Sequence, residues 1–255
     1  MATDRASKIK QLLAGHRPGT VELASWLAAH GIPHDLQKHY RKSGWLEPVG
    51  VGASKRPGEK VSWEGGLYSL QVQGKVPLHA GALTALSLQG NAQYIRSGHE
   101  PVYLFSPLKT ILPSWYRNHD WGHSIVHIKT AFLPPEPGIT DYSLNSFTIR
   151  ISGAERAMLE CLYLTPESIG LVECYQMLEN LATLRPKVLQ ELLERCRSVK
   201  VKRLFLFMGE KAGHVWKKRL DLSTIDLGKG TRSIVTGGVF VPKFALNLPE
   251  ELVNL

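Results

Sequence analysis

The stretch that decides the fold is GIPHDLQKHYRKSGWL, residues 31–46. Gly31 ends one helix as a residue suited to left-handed backbone, and Pro33 opens the next at a position where a missing N–H costs nothing. Leu36 and Tyr40 stand one turn apart and form the inward face of that helix. Gln37, Lys38, Arg41 and Lys42 are then left on the outer face, with His34 near the helix N-terminus. Gly44 closes the helix, and Trp45 and Leu46 lead into a strand. A short helix with one apolar edge and a polar, cationic edge has the form of a recognition helix, which lies in the DNA major groove.

Working outward, Ile9, Leu12 and Leu13 give a helical spacing over about Asp4–Leu13. Gly15, Pro18 and Gly19 break it. Thr20 is placed to cap a second helix, whose buried face is Val21, Leu23, Ala24, Leu27 and Ala28. On the C-terminal side, VGVGASKRPGEKVSWEGGLYSLQ reads as a hairpin: a strand, a tip carrying Lys55, Arg56 and Lys60 among glycines and prolines, and a returning strand through Leu67–Val72. Helix, helix, turn, helix and hairpin is the order of a winged helix. Side-chain chemistry divides the work. Gln37 suits adenine, Arg41 or Lys38 suits guanine, and Lys42 and the hairpin cations suit phosphate.

The rest of the 255 residues is a second, mixed unit. A helix is expected over Pro77–Tyr94, with small Ala80, Ala82 and Ala85 for close packing. Strands are expected at Val102–Phe105, Ile125–Phe132 and Ser146–Ile151. Ser152 and Glu155 form a capping-box pattern ahead of a helix to Leu164. Two further helices follow, at about Ile169–Ala182 and Pro186–Cys196. Val199–Met208 is ambiguous between helix and strand, and Gly237-Gly238 reads as a hairpin turn. The expected fold is α+β: a winged helix-turn-helix over 1–75, a connecting helix over 76–97 and a mixed α/β domain over 98–255.

The net charge of +9 favours a polyanionic partner. Residues 1–75 carry 11 Lys/Arg against 6 Asp/Glu, and residues 185–232 carry 13 against 5. The stretch between them carries 6 against 9. Within the second basic region Lys211, His214, Lys217, Lys218 and Arg219 form a candidate surface for an acidic protein or a second nucleic acid. The three cysteines contain no CxxC pair, which excludes a zinc ribbon. His119, His123 and His127 are spaced by four, but Gly122 and the strand pattern that follows argue against one helical face, and no HExxH is present. LGKGTRS lacks the Ser or Thr that a phosphate loop needs after its Lys, and no GxSxG occurs. The reading is a cytoplasmic protein with no membrane span, no metal, no cofactor and no catalytic residue.

Four segments resemble the AbiEi family of bacterial antitoxins: GIPHDLQKHYRKSGWLEPVG, LHAGALTALSLQGNAQYI, SGAERAMLECLYLTP, and the block from Lys202 to Gly238 beginning KRLFLFMGEK. The likeness runs from about residue 5 to 250. It implies a type IV toxin–antitoxin regulator linked to abortive infection by phage. Its winged helix would bind inverted repeats in its own promoter, through His34, Gln37, Lys38, Arg41, Lys42, Lys55, Arg56 and Lys60. Its C-terminal domain would counter a nucleotidyltransferase-type toxin, directly or indirectly. A monomer in solution with two copies on the operator fits that scheme. Two other readings stay open: a winged-helix-targeted nucleic-acid-processing enzyme, and a plain transcriptional repressor.

Overall fold

The computed structural model describes residues 8–10, 12, 14–91 and 100–255. Residues 8–10, 12, 14 and 15 are helical, so part of the expected first helix lies outside the described residues. There follow β1 (Glu22–Leu23), α1 (Ala24–Ala29), α2 (His34–Lys42), β2 (Glu47–Gly50) and β3 (Ala53–Lys55). The three strands form one antiparallel sheet in the order β1-β3-β2. This is the winged-helix order. Gly31 adopts φ +82°, as the helix end requires. A small core of Leu12, Leu27, Ile32, Tyr40 and Leu46 holds the helices together, with Leu36 packed against it.

Two local expectations are corrected here. Thr20 does not cap a helix; its hydroxyl donates to Arg17 O at 2.7 Å, and the next residues enter β1. The returning strand at Leu67–Val72 is helical: α3 (Trp63–Tyr68) runs into a π-helical turn over Ser69–Gln73. Trp63, Leu67 and Leu70, spaced by four and three, are all buried on one helical face. Gly65 and Gly66 make this possible. A Cβ on Gly65 would overlap the carbonyl oxygen of Gly19, and one on Gly66 would run into the rings of Trp121 and Tyr116.

Next come β4 (His79–Ala80), α4 (Ala82–Leu88), β5 (Val102–Ser106), α5 (Ser114–Asn118), β6 (Ile125–Lys129), β7 (Ile139–Ser143) and β8 (Thr148–Ser152). Five of these strands make a mixed sheet in the order β6-β5-β4-β8-β7. β5 and β6 are parallel, from Val102↔Ile125 to Ser106↔Lys129. β4 lies antiparallel to β5 and parallel to β8. The segment expected to be a connecting helix therefore supplies the central strand of the sheet before its helix begins; residues 92–94 of that expectation lie outside the described residues.

The chain then runs through α6 (Ala154–Leu164), α7 (Leu171–Asn180), α8 (Pro186–Arg195) and α9 (Val199–Lys211). Val199–Met208 is thus helix. The end holds β9 (Arg232–Ser233), β10 (Val239–Val241), β11 (Leu246–Leu248) and α10 (Glu250–Asn254). β11 lies between β10 and β9, so Gly237-Gly238 does not turn a two-stranded hairpin. The main core runs through both halves, from Val21 to Leu252.

At its centre is a buried carboxylate. Glu160 on α6 has no exposed surface. Its Oε1 accepts from His79 Nε2 at 3.0 Å and Arg156 Nε at 2.9 Å; its Oε2 accepts from Ala82 N at 3.0 Å and Ser152 Oγ at 2.7 Å. The expected capping box does not form for this reason. Ser152 ends β8 and turns its hydroxyl to Glu160, while Glu155 binds Arg185 through Oε1 and Oε2 at 2.9 and 2.8 Å. Burial would raise the Glu160 pKa, but His79, Arg156 and Ser152 outweigh it and hold the carboxyl below its ordinary range.

Glu160→Ala leaves Arg156 and His79 facing a void, and we expect a loss of about 3–5 kcal/mol in urea unfolding at pH 7. Because the folded pKa is depressed, Glu160's contribution is complete above the ordinary carboxylate range and is lost as pH falls through the folded value. Melts at descending pH are therefore expected to show a steeper decline for wild type than for the variant. Equal declines would remove Glu160 from that account.

Candidate nucleic-acid interface

The helix expected to enter the DNA groove is α2. His34, Lys38, Arg41 and Lys42 are all exposed on it. His34, Lys38 and Arg41 follow the i, i+4, i+7 spacing of one face, which Trp45, 47% exposed just beyond the helix, extends. His39 is exposed on the adjoining face with Lys42, next to the acidic Asp35. Arg41 and Lys42 lie in the last turn, where cations oppose the helix dipole, and Asp35 in the first. Sequence reading passed over His39 and Trp45; the signal for Trp45 was its continuation of the helical period past Gly44.

Gln37 is a correction. It is 1% exposed, and its Nε2 donates to Ala24 O at 2.9 Å and Ile32 O at 2.8 Å. Its amide fastens the end of α1 and the turn to α2, so it cannot also pair with a base. Tyr40 is buried and Leu36 half-buried, as docking residues should be.

The hairpin also differs from expectation. Its turn is Val51-Gly52, between β2 and β3, and Val51 is 87% exposed at the tip. The cationic run 55–60 begins at the last residue of β3 and is largely paired within the fold. Lys55 Nζ donates to Glu59 O at 2.9 Å and lies 3.4 Å from Glu47 Oε1. Arg56 is 3.8 Å from Glu59 Oε1, while Lys60 is exposed. A two-residue turn with Gly52 at φ +81° closes the strands before the basic run is reached.

The base of the winged helix is fixed by polar contacts. His16 Nδ1 and Nε2 each lie 2.9 Å from a carboxylate oxygen, of Glu22 and Glu59. Burial works to lower the His16 pKa, but the two carboxylates reverse this and hold it raised. On the other side of β1, the Ser69 hydroxyl donates to Val21 O at 2.5 Å and accepts from Val21 N at 3.1 Å. Gln73 Oε1 accepts from Leu23 N at 2.8 Å, and its Nε2 donates to Glu22 Oε2 at 3.0 Å.

The candidate group Lys211, His214, Lys217, Lys218 and Arg219 does not form one surface. Lys211 Nζ donates to Val253 O at 3.0 Å, and buried His214 donates from Nε2 to Leu178 O at 2.7 Å. Lys217 pairs with Glu210 and stands 5.6 Å from the centre of the Phe244 ring. Lys218 and Arg219 remain exposed. The same use of cations recurs on α9, where Arg203 donates to the carbonyls of Leu227, Gly228, Gly230 and Ala245. The three spaced histidines lie apart in their surroundings. His119 packs edge-on to Trp121, His123 Nδ1 is 3.1 Å from Glu100 O, and His127 Nε2 is 2.8 Å from Ser106 Oγ. Among the described residues no group of three or more His, Cys, Asp and Glu side chains is placed to hold a metal, and no helix is long and apolar enough to cross a membrane.

With this geometry in view, the chain can be set beside known proteins. The family described as "Transcriptional regulator, AbiEi antitoxin, Type IV TA system" matches residues 99–249, and the AbiEi antitoxin N-terminal domain matches residues 5–97. The chain belongs to this family of antitoxins and transcriptional regulators. No curated protein matches. The crystal structure of the RV2827C protein from Mycobacterium tuberculosis superposes with a TM-score of 0.57 at 17% identity, covering 95% of this chain and 90% of that one. It shares the fold.

The split between Gln37 and Arg41 is measurable without DNA. Gln37→Ala leaves two carbonyls without their donor and is expected to cost about 1–3 kcal/mol. Arg41→Ala, on an exposed face, is expected to stay within about 0.5 kcal/mol. Chemical unfolding of the two variants checks this, and an equal cost would contradict the placement of Gln37.

Proposed function

From membership of the AbiEi family we propose an autoregulatory antitoxin that binds inverted repeats in its own promoter and counters a nucleotidyltransferase-type toxin through its C-terminal half. The observation that carries the DNA part is the exposed face of α2, with His34, Lys38 and Arg41 in line and Lys42 beside them. Arg41 and Lys38 suit guanine edges, Lys42 suits phosphate, and His34 sits at the helix end that approaches bases. Val51 at the hairpin tip takes apolar contact with sugar or groove floor, and Lys60 adds a phosphate contact. Lys55 and Arg56 act chiefly within the hairpin, their charge offset by Glu47 and Glu59.

Operator symmetry mirrors protein symmetry, so two copies are expected on one inverted repeat, and they need not form a dimer in solution. On the C-terminal half, Lys218 and Arg219 are the exposed members of the group Lys211, His214, Lys217, Lys218 and Arg219, open to a partner that is either the toxin or its nucleic-acid target.

Mobility shift on the DNA upstream of the chain's own reading frame tests the first part. Arg41→Ala is expected to weaken binding about 5- to 150-fold and to relax preference at one base pair, as loss of one base contact does. Lys42→Ala is expected to weaken all sequences alike and to flatten the salt dependence by roughly one phosphate. Unchanged binding in the Lys38→Ala, Arg41→Ala double variant would reject the recognition-helix assignment. The second part is tested by co-expressing the neighbouring toxin with the full-length double variant. Retained rescue of growth is expected, because the altered face serves only DNA, and loss of rescue would contradict that division.

A further inference from the structure

The cleft formed by the loop 130–139 over β4 and β5 encloses a cavity of about 200 Å³. Its walls are largely apolar, with Phe105, Pro107, Phe132 and Leu133; His79 and Arg156 line it as well, together with Gln71 and the mutually paired Glu136 and Arg150.

Arg156 is the informative residue. It is only 5% exposed, so its charge is almost entirely withdrawn from solvent. Its Nε donates to Glu160 at 2.9 Å, and its Nη1 donates to Pro134 O at 2.6 Å and Pro137 O at 2.9 Å. For Nη2 no acceptor stands within hydrogen-bonding distance among the described residues. Nη2 is not sealed from solvent, since among the described residues the fully buried side-chain atom left without a partner is Asn247 Oδ1, and it is therefore open to a ligand's acceptor. His79 is in a similar position: Nε2 is committed to Glu160, and Nδ1 has no partner among the described residues. Its ring stacks on Phe105, 6.0 Å between centroids and 18° from parallel.

The volume sets the ligand's size. A cavity of roughly 150 Å³ with apolar walls accepts benzene. The space here is somewhat larger, with one guanidinium nitrogen, Arg156 Nη2, left over on one side. We propose that this cavity binds a small planar carboxylate of single-ring size, its ring among Phe105, Phe132 and Leu133 and its carboxylate on Arg156 Nη2. Charge-assisted hydrogen bonding to a guanidinium favours a carboxylate over a neutral carbonyl. Ala131 lies exposed at the mouth and gives access. Gln71, which the N-terminal family match contains, also lines the cavity, so an occupant touches both halves of the chain.

Titration calorimetry of the full-length protein with benzoate tests the proposal, with benzamide as the uncharged isostere. Saturable benzoate binding is expected, roughly millimolar or tighter, and about tenfold weaker binding of benzamide. Ala131→Trp places a ring across the mouth without touching Arg156 or Glu160. This variant is expected to melt as the wild type does and to lose the benzoate heat. No saturable binding to the wild type overturns the site. Undiminished binding in Ala131→Trp overturns its location, and equal affinity for benzamide overturns the carboxylate class. None of these outcomes depends on DNA binding.

Discussion

The hydrogen bonds to the buried Glu160 carboxylate are the constraint on which the remaining architecture depends. Its donors come from four places: β4, the start of α4, the end of β8 and α6 itself. A carboxylate cannot be taken out of water unless such partners are in position, because the unpaired ion would cost several kcal/mol. The cluster is therefore an all-or-none assembly. It also joins the two family matches, since His79 and Ala82 lie in the first and Ser152, Arg156 and Glu160 in the second. Helix packing follows from it. α4 can approach α6 closely because Ala82 and Ala85 present little bulk at the contact.

A second joint carries this fixed centre to the winged helix. In the π-helical turn Ser69–Gln73, alternate residues serve opposite sides. Ser69 and Gln73 hold β1, while Gln71 donates to Leu78 O and Arg150 O and accepts from Arg150 N. An α-helical register would turn these side chains by about 100° per residue. The wider π turn lets all three reach backbone groups of strands on either flank. β1 leads straight into α1, and Gln37 fastens α1 to α2. The orientation of α2 is thus set by a series of side-chain-to-backbone hydrogen bonds that begins at the C-terminal sheet.

Elements governed by local period and turn chemistry were legible in the sequence. α2 is bounded by Gly31 and Gly44, its apolar edge is Leu36 and Tyr40, and the strands at 102, 125 and 148 fall where apolar runs place them. What escaped were residues whose role is decided by a partner distant in sequence. Gln37 has the same polarity as a base-reading residue, and only the position of Ala24 O and Ile32 O makes it a tie between helices. Ser152 and Glu155 have the spacing of a capping box, yet Glu160 and Arg185 hold them more strongly. Lys211, His214 and Arg203 count as surface charge in composition, whereas each binds a carbonyl from another segment. Leu67–Val72 reads as alternation only if Trp63 is left out; with it, the spacing of four and three is helical.

These displaced cations bear on how DNA recognition is to be understood. A basic hairpin would add sequence-independent affinity, since phosphate neutralisation acts on any duplex. Here Lys55 and Arg56 face Glu47 and Glu59, so the hairpin's cationic contribution rests mainly on Lys60. On the proposed reading, the balance shifts towards α2, whose cations are few and closely grouped. One such face neutralises few phosphates, and its affinity for random DNA is correspondingly low. Tight operator binding then has to come from two faces engaging one repeat, where the second contact benefits from the effective concentration set by the first. On that reading the pairing of the hairpin cations would favour discrimination: a single copy would hold weakly everywhere, and only a site with two half-sites at the right spacing would retain the protein.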